Sequence, residues 1–152
     1  MMAASESATD MALSREDLGF LLAKAAQRWN ELLAERFAAA GYADVRPSYG
    51  SVLLPLFGQD GLRMGELARR ARLSKQTMTS MIGRLERDGL VARRADPRDA
   101  RASLIFLTTR SRRFAPVASA TLRELEALTR RRLGPQQIAA TKDALRQLME
   151  LD

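Results

Sequence analysis

The feature that most constrains this chain is a block of mixed charge that runs directly into an apolar, β-branched segment. Residues 93–109 read RRADPRDARASLIFLTT, with four arginines and two aspartates in the first nine positions. LVARRADP and ASLIFLT have the composition of two strands, and DPRDAR between them has that of a turn. The sequence therefore predicts a charged β-hairpin.

Two short helices joined by a tight turn precede this hairpin. LRMGELARRA predicts the first helix, and SKQTMTSMIGRLERDG predicts the second, with Ser74 as its N-cap and Gly89 as its stop. On the second helix an apolar face recurs at helical spacing. Its members are Met78, Met81, Ile82 and Leu85. Two such helices followed by a hairpin make a winged helix-turn-helix.

The opposite face of the second helix carries amide and hydroxyl groups instead of the usual glutamates and lysines. Such side chains suit the base edges of a DNA major groove, and a lysine beside the helix N-terminus suits phosphate. The candidate DNA contacts on this helix are Ser74, Lys75, Gln76, Thr77, Thr79, Ser80 and Arg84. The alternative is an ordinary amphipathic pair of helices in an α-domain.

In the hairpin, the wing, Arg94, Arg98 and Arg101 are candidate DNA contacts, because a narrow minor groove attracts guanidinium groups. Asp96 and Asp99 would oppose DNA if they faced it. We expect them instead to pair with Arg94, Arg98 or Arg101 and to hold the shape of the wing. The alternative is an exposed hairpin with solvated ion pairs.

The net charge of +7 is concentrated in this region: residues 63–101 account for +6 of it. A single basic block indicates a polyanionic partner. The chain has no cysteine and no histidine, which excludes thiolate metal sites, thiol redox sensing and the commonest zinc ligands. We expect no cofactor, no metal, no membrane span and no enzymatic activity, and a cytoplasmic location.

The flanking segments predict long helices. Residues 1–13 are expected to be a flexible N-terminus, and a capping pattern at Ser14 and Asp17 predicts a helix to about Ala40. Pro47 should begin the next helix, and Pro55 should end or kink it. Thr108 or Thr109 should cap a helix over 110–132, and Gly134-Pro135 should begin a last one.

The apolar stripes of the terminal helices need a partner surface, either within the chain or on a second copy. We expect residues 14–45 and 110–152 to be dimerisation helices and 46–109 to be the DNA-binding domain. The predicted fold class is mainly α with a small β wing. A winged-helix dimer that packages DNA, or that contacts protein without ligand sensing, is the alternative function.

The stretch LERDGLVARRADPRDAR and the stretch LTTRSRR resemble the L-E-x-x-G-[LY]-[VI]-x-R…D-P-x-D-x-R and L-T-x-x-G-R motifs of the multiple-antibiotic-resistance regulator (MarR) family. The resemblance extends over about residues 14–150. It implies a homodimeric, sequence-specific transcriptional regulator. The recognition helices of its two subunits would bind the two halves of a pseudo-palindromic DNA duplex. Two departures stand out: Arg72 and Ser111 occupy positions where the family often has glycine.

The resemblance also implies a repressor that a small, aromatic anionic effector releases from DNA. The candidates for an effector pocket are Trp29, Tyr49 and Phe57, with Arg28 or Arg46 as the anion partner. Large side chains at helical spacing are more often core residues. The operator, the regulated genes and the effector's identity do not follow from the sequence.

Overall fold

The structure, a computed structural model, describes residues 15–152. It is mainly helical with one small antiparallel sheet, as the sequence predicted. The elements are α1 (Leu18–Ala39), a 3₁₀ helix (Pro47–Tyr49), α2 (Gly50–Gly58), β1 (Leu62–Arg63), α3 (Met64–Ala71), α4 (Lys75–Arg87), β2 (Val91–Asp96), β3 (Asp99–Leu107), α5 (Thr109–Leu133) and α6 (Pro135–Leu148).

The first helix is shorter than predicted and has a different cap. Asp17 is the N-cap of α1, because its carboxylate accepts a hydrogen bond from the Phe20 N–H at 3.1 Å. Ser14 lies outside the described residues. The helix spans 22 residues and ends before Gly41, whose φ is 92°. The left-handed backbone of Gly41 thus follows the end of the helix, close to the predicted limit at about Ala40.

Pro55 lies inside α2 and does not end it, contrary to one of the two outcomes predicted for it. The helix continues to Gly58 because Val52, Leu53 and Leu56 on its inner face are almost completely buried. Burial of this face offsets the hydrogen bond that a proline nitrogen cannot make. The strand β1 was not predicted, because two residues are too few to produce a periodic pattern.

The wing has a longer second strand, a shorter first strand and a tighter turn than predicted. The sheet has the order β1-β3-β2, so β3 pairs with β1 on one side and with β2 on the other. Pairing continues to Asp96 opposite Asp99, with an irregularity between Ala95 and Asp96. The turn therefore consists of Pro97 and Arg98, and Asp99 and Arg101 belong to β3 instead of a loop.

The core of the winged domain lies where α2, α3 and α4 meet the sheet. Its completely buried side chains are Val52, Leu56, Leu67, Met78, Ile82, Leu85, Leu90 and Ile105. The inward face predicted for α4 is thus confirmed, with Met81 half-buried at its edge. Thr108 is the N-cap of α5, and its hydroxyl accepts from the Ser111 N–H.

The terminal helices bury only part of their apolar stripes within one chain. α1 packs on α5 through Phe37 and Phe114, whose ring centroids are 4.8 Å apart and nearly perpendicular. Large apolar side chains on α1 and α5, and on and directly after α6, remain exposed. They include Leu18, Leu21, Trp29, Leu128, Leu133, Leu145 and Met149.

Candidate nucleic-acid interface

Ser74 begins α4 as its N-cap, as predicted. The Ser74 hydroxyl oxygen accepts a hydrogen bond from the Thr77 N–H at 3.1 Å, and the hydroxyl donates to Thr77 Oγ1 at 2.9 Å. These bonds satisfy a free N–H group at the start of the helix. Ser74 and Thr77 are therefore ordered with respect to each other at the exposed end of α4.

The residues predicted to read bases lie on the exposed face of α4. The exposed set comprises Lys75, Gln76, Thr77, Thr79, Ser80 and Arg84. The Thr79 hydroxyl donates to the Lys75 carbonyl oxygen at 2.8 Å and lies 3.4 Å from the sulfur of Met64. Its hydrogen is thus engaged within the protein, which leaves the oxygen lone pairs and the methyl group for a partner.

Asp96 shapes the wing, but through a partner that the sequence did not indicate. Its Oδ2 lies 2.6 Å from Arg63 Nη2, and its Oδ1 accepts from the Arg98 backbone N–H at 2.9 Å. The Arg98 N–H and the Arg63 guanidinium hold the pKa of Asp96 below its usual value, against the opposing effect of burial. The expected side-chain pairing with Arg94, Arg98 or Arg101 is therefore wrong for Asp96.

Asp99 follows the prediction more closely. Its Oδ1 accepts from the Arg101 N–H at 3.0 Å and lies 3.5 Å from Arg101 Nε. The Arg101 side chain is nevertheless 94% exposed, so its guanidinium extends away from the protein. Arg94 stacks over the Phe106 ring, with 4.6 Å between the guanidinium carbon and the ring centroid.

A cationic cleft separates α4 from the wing. We use this name for the surface lined by Arg63, Met64, Gly65, Lys75, Thr79, Arg93, Arg101, Ala102 and Ser103. Four of these residues are basic and none is acidic. Glu86 and Asp96 pair with Arg93 and Arg63 from outside the lining.

Arg63 and Arg93 were missed by the sequence analysis. The only sequence signal that could have placed these two arginines beside α4 is the alternation of inward and outward residues along a strand. The two residues of β1 are too few to show such an alternation. The cleft brings Lys75 and Thr79 of the predicted set together with Arg101. Arg98 is exposed at the turn of the wing, three residues before the cleft residue Arg101 in the sequence.

Arg72 adopts a left-handed conformation, with φ 54° and ψ 40°, at the C-cap of α3. Glycine adopts this conformation without strain, and a side chain does so at a cost. The Arg72 guanidinium donates to the Met149 carbonyl oxygen and lies 3.2 Å from Glu150 Oε1. The helix-turn-helix turn is thereby tied to the end of the last helix.

The five predicted effector residues do not meet in one pocket. Arg46 and Phe57 line a cavity between α1, α2 and α5, whereas Trp29 lines a separate cleft formed with α6. Tyr49 is buried, and its hydroxyl donates to Asp88 Oδ2 at 2.7 Å. Arg28 is on the exposed side of α1 near Glu31 and Glu35.

The cavity that contains Arg46 and Phe57 is almost entirely apolar. The space in it that is open to a water-sized sphere is about 70 Å³, and its mouth is open to solvent. Its other lining residues include Leu33, Phe37, Leu53, Leu54, Phe114 and Leu122. We call it the interhelical cavity; Arg46 supplies its charged group.

Two kinds of feature are absent from residues 15–152. These residues contain no cluster of three or more carboxylate, histidine or cysteine side chains with the geometry to hold a metal ion. In the same part of the chain, no helix is both long and apolar enough to span a bilayer.

Comparison with known proteins gives a consistent result. The MarR family model matches residues 47–103, from the 3₁₀ helix into β3. The transcriptional activatory protein BadR of Rhodopseudomonas palustris is 45% identical over 53 residues, which are 35% of this chain and 30% of BadR. The chain spans between 30% and 56% of the first curated relatives that it matches.

Solved structures match over nearly the whole chain. The transcriptional repressor CouR, solved bound to a 23-mer DNA duplex, superposes with a TM-score of 0.78 at 25% identity, covering 93% of this chain and 98% of CouR. PcaV of Streptomyces coelicolor, solved with its natural ligand, has a TM-score of 0.76 at 23% identity and covers 93% of this chain and 95% of PcaV.

Proposed function

We propose that this chain, which the MarR family model matches over residues 47–103, is a winged-helix regulator that binds double-stranded DNA sequence-specifically and regulates transcription. The observation that carries the proposal is the cationic cleft beside the exposed face of α4. A DNA backbone is a continuous line of negative charge, and a concave surface with four cations and no acid in its lining complements it.

In the proposed complex, α4 lies in the major groove and the wing lies over the adjacent backbone. Gln76, Thr77 and Ser80 would contact base edges, and Thr79 would offer its methyl group and oxygen. Lys75, Arg84 and the cleft arginines would neutralise phosphates. The wing residues Arg94, Arg98 and Arg101 would contact the adjacent minor groove, whose negative potential is strongest where the groove is narrow.

We propose that the active form is a homodimer. The exposed apolar side chains on α1, α5 and α6 support this, because a second copy of the same faces would bury them. The described part of the predicted dimerisation segments 14–45 and 110–152 would then form the dimer interface, and the winged domains would meet half-sites about one helical turn apart. As its target is chromosomal DNA, we place the protein in the cytoplasm.

We further propose that the protein represses its target genes and that an effector in the interhelical cavity relieves repression. The effector class is a small aromatic carboxylate, since the cavity walls are apolar and Arg46 can pair with an anion. PcaV, which shares the fold, was solved with a natural ligand. Trp29 and Arg28 take no part in this proposal.

The test is selection of binding sites from random duplexes with the full chain, followed by affinity measurements at several salt concentrations. A regulator should prefer its selected duplex over random DNA by at least about 10³ at physiological salt. A ratio near one would instead support the alternative of a DNA-packaging dimer. The absence of any DNA binding would favour a protein-interaction module.

A further inference from the structure

The end of α4 is attached to the beginning of α5 through three consecutive carbonyl groups. The Asp88 carbonyl accepts from Arg110 Nη1 at 2.7 Å, and the Gly89 carbonyl accepts from the Thr108 hydroxyl at 2.6 Å. The Leu90 carbonyl accepts from the Ser111 hydroxyl. We call these three carbonyls and their three side-chain donors the carbonyl joint.

Two further hydrogen bonds brace the carbonyl joint. The buried Tyr49 hydroxyl donates to Asp88 Oδ2 at 2.7 Å, and Arg110 Nη2 donates to Asp44 Oδ1 at 2.6 Å. Burial, reinforced by Asp88, raises the pKa of Tyr49, and the Arg110 hydrogen bond lowers the pKa of Asp44. At neutral pH Tyr49 is therefore a donor and Asp44 an ionised acceptor.

These side-chain bonds are not needed to end α4. The Gly89 N–H already donates to the Glu86 carbonyl, and the Leu90 N–H donates to the Leu85 carbonyl at 2.8 Å. With Gly89 at φ 70°, this pattern is a Schellman motif, which terminates a helix by itself. The carbonyl joint therefore has a separate effect: it fixes the terminated helix to α5.

Ser111 supplies the buried donor of the carbonyl joint. It is completely buried and stands where the family motif has glycine, which has no hydroxyl to donate. The helix that it begins also carries the apolar side chains of the proposed dimer surface. The angle between α4 and α5 thus determines how each recognition helix is held relative to the dimer.

We propose that Tyr49, Arg110 and Ser111 are positioning residues of the DNA-reading surface, acting through the carbonyl joint to set the angle of α4 against α5. The inference rests on the proposed DNA-binding function. It also extends to the effector, because Val45, Arg46 and Pro47, which line the interhelical cavity, lie between Asp44 and Tyr49 in the chain. A ligand there would press on the segment that braces the joint.

The experiment compares Tyr49→Phe and Ser111→Ala with the wild type, with Tyr42→Phe as the matched control. Tyr42 packs on Phe114 and under Arg110, so the control removes a neighbouring hydroxyl and retains the ring. In each test variant the affinity ratio between the selected duplex and random DNA should fall about tenfold, because a hydrogen bond to the joint is lost. Affinity for random DNA should stay unchanged, since Lys75 and the wing arginines remain in place.

Amide hydrogen exchange of the DNA-free protein provides the second measurement. Exchange at Asp88, Gly89 and Leu90 should accelerate about tenfold in both test variants, and exchange at the core residue Leu67 should not. If only Ser111→Ala fails to fold, the result for Tyr49→Phe alone decides whether the positioning role holds. An unchanged affinity ratio with unchanged exchange at 88–90 would overturn the inference.

The two proposals fail in different ways. If the wild type prefers no duplex, the proposed function is wrong, whatever the variants do. If the wild type has a clear preference and both test variants keep it, as Tyr42→Phe should, only the positioning role is wrong. A fall of equal size for selected and random DNA, with lower global stability, would likewise reject positioning and leave a structural role alone.

Discussion

Arg63 Nη2 lies 2.6 Å from Asp96 Oδ2, which joins the strand before the helix-turn-helix to the turn of the wing. Asp96 is 6% exposed, whereas the Arg63 side chain is half exposed at the edge of the cationic cleft. One carboxylate thus orients a cleft arginine and, through the Arg98 N–H, the backbone of the wing turn. The geometry of the wing and the charge of the cleft depend on the same side chain.

Replacing Asp96 with Asn should weaken DNA binding, although it removes a negative charge near the proposed interface. The amide keeps an acceptor for the Arg98 N–H but loses the ion pair, so Arg63 and the wing turn become less ordered. We expect a loss of severalfold in affinity for the selected duplex in fluorescence anisotropy. Asp99→Asn is the control and should change little, because its partner Arg101 is already extended. Tighter binding by Asp96→Asn would contradict this role.

Gly61→Ala should destabilise the protein by about 2 kcal/mol, because a side chain at this position is strained and lacks space. Gly61 has φ 71°, and an added Cβ would lie 2.8 Å from Cε1 of Phe106. The measurement is urea unfolding followed by circular dichroism. Gly58→Ala is the control: its added Cβ meets nothing within 4 Å, and its stability should not fall. Equal midpoints for the two variants would refute the steric argument.

Base readout and phosphate contact should separate by mutation. Gln76→Ala should relax preference at one defined base pair, whereas Arg98→Ala or Arg101→Ala should weaken binding to all duplexes. Each lost phosphate contact should also reduce the slope of log affinity against log salt by about one. Binding to a panel of singly substituted duplexes at three salt concentrations distinguishes these cases. Unchanged DNA affinity in all three variants would contradict the proposed placement of α4 and the wing on DNA.

Effector binding should depend on Arg46 and not on Arg28. With 4-hydroxybenzoate as the probe, Arg46→Ala should raise the dissociation constant about tenfold in calorimetry, because the carboxylate loses its cationic partner. Arg28→Ala is matched in chemistry, but Arg28 pairs with Glu31 outside the cavity, so the affinity should not change. An equal loss of 4-hydroxybenzoate affinity in both variants would show that the ligand does not bind in the interhelical cavity.

Stability should be independent of pH from about 6 to 8, because the chain has no histidine and no cysteine to titrate there. Arg69 and Arg70 lower the pKa of Glu66 from 4.5 to about 2, and the pKa values of Asp44 and Asp96 also lie below 3.8. A carboxyl whose pKa is lowered by folding stabilises the folded state above its unfolded pKa and loses this effect as the pH falls through the folded value. The urea midpoint should therefore decline only below about pH 4.5. A change between pH 6 and 8 would contradict this.

Local patterns predicted the helix-turn-helix well, since a Ser74 cap, a glycine stop and a 3.6-residue apolar period are properties of neighbouring residues. The same holds for the caps at Thr108 and Gly134. The exposure of Gln76, Thr79 and Ser80 followed from that period. What the sequence could not provide were pairings across the chain: Arg63 with Asp96, Tyr49 with Asp88, and Ser111 with Leu90.

Two errors had the same origin. Pro55 was expected to end or kink α2 because local propensity disfavours it, yet the helix continues to Gly58, since tertiary burial of the neighbouring leucines outweighs that preference. The effector residues were grouped as large aromatic side chains with arginines nearby in the sequence, and neither property reveals the side of a helix that meets a given neighbour. Trp29 and Phe57 consequently belong to different clefts.

The central position of β3 limits how this protein can be re-engineered. Since β3 pairs with β1 and β2 at once, the hairpin is not a detachable module. A chimera that imports another regulator's wing must bring residues 60–63 with it, or Asp60 will lose the Leu107 N–H to which it is bonded at 2.8 Å. Exchange of operator preference between relatives should therefore succeed with discontinuous grafts and fail with a hairpin swapped alone.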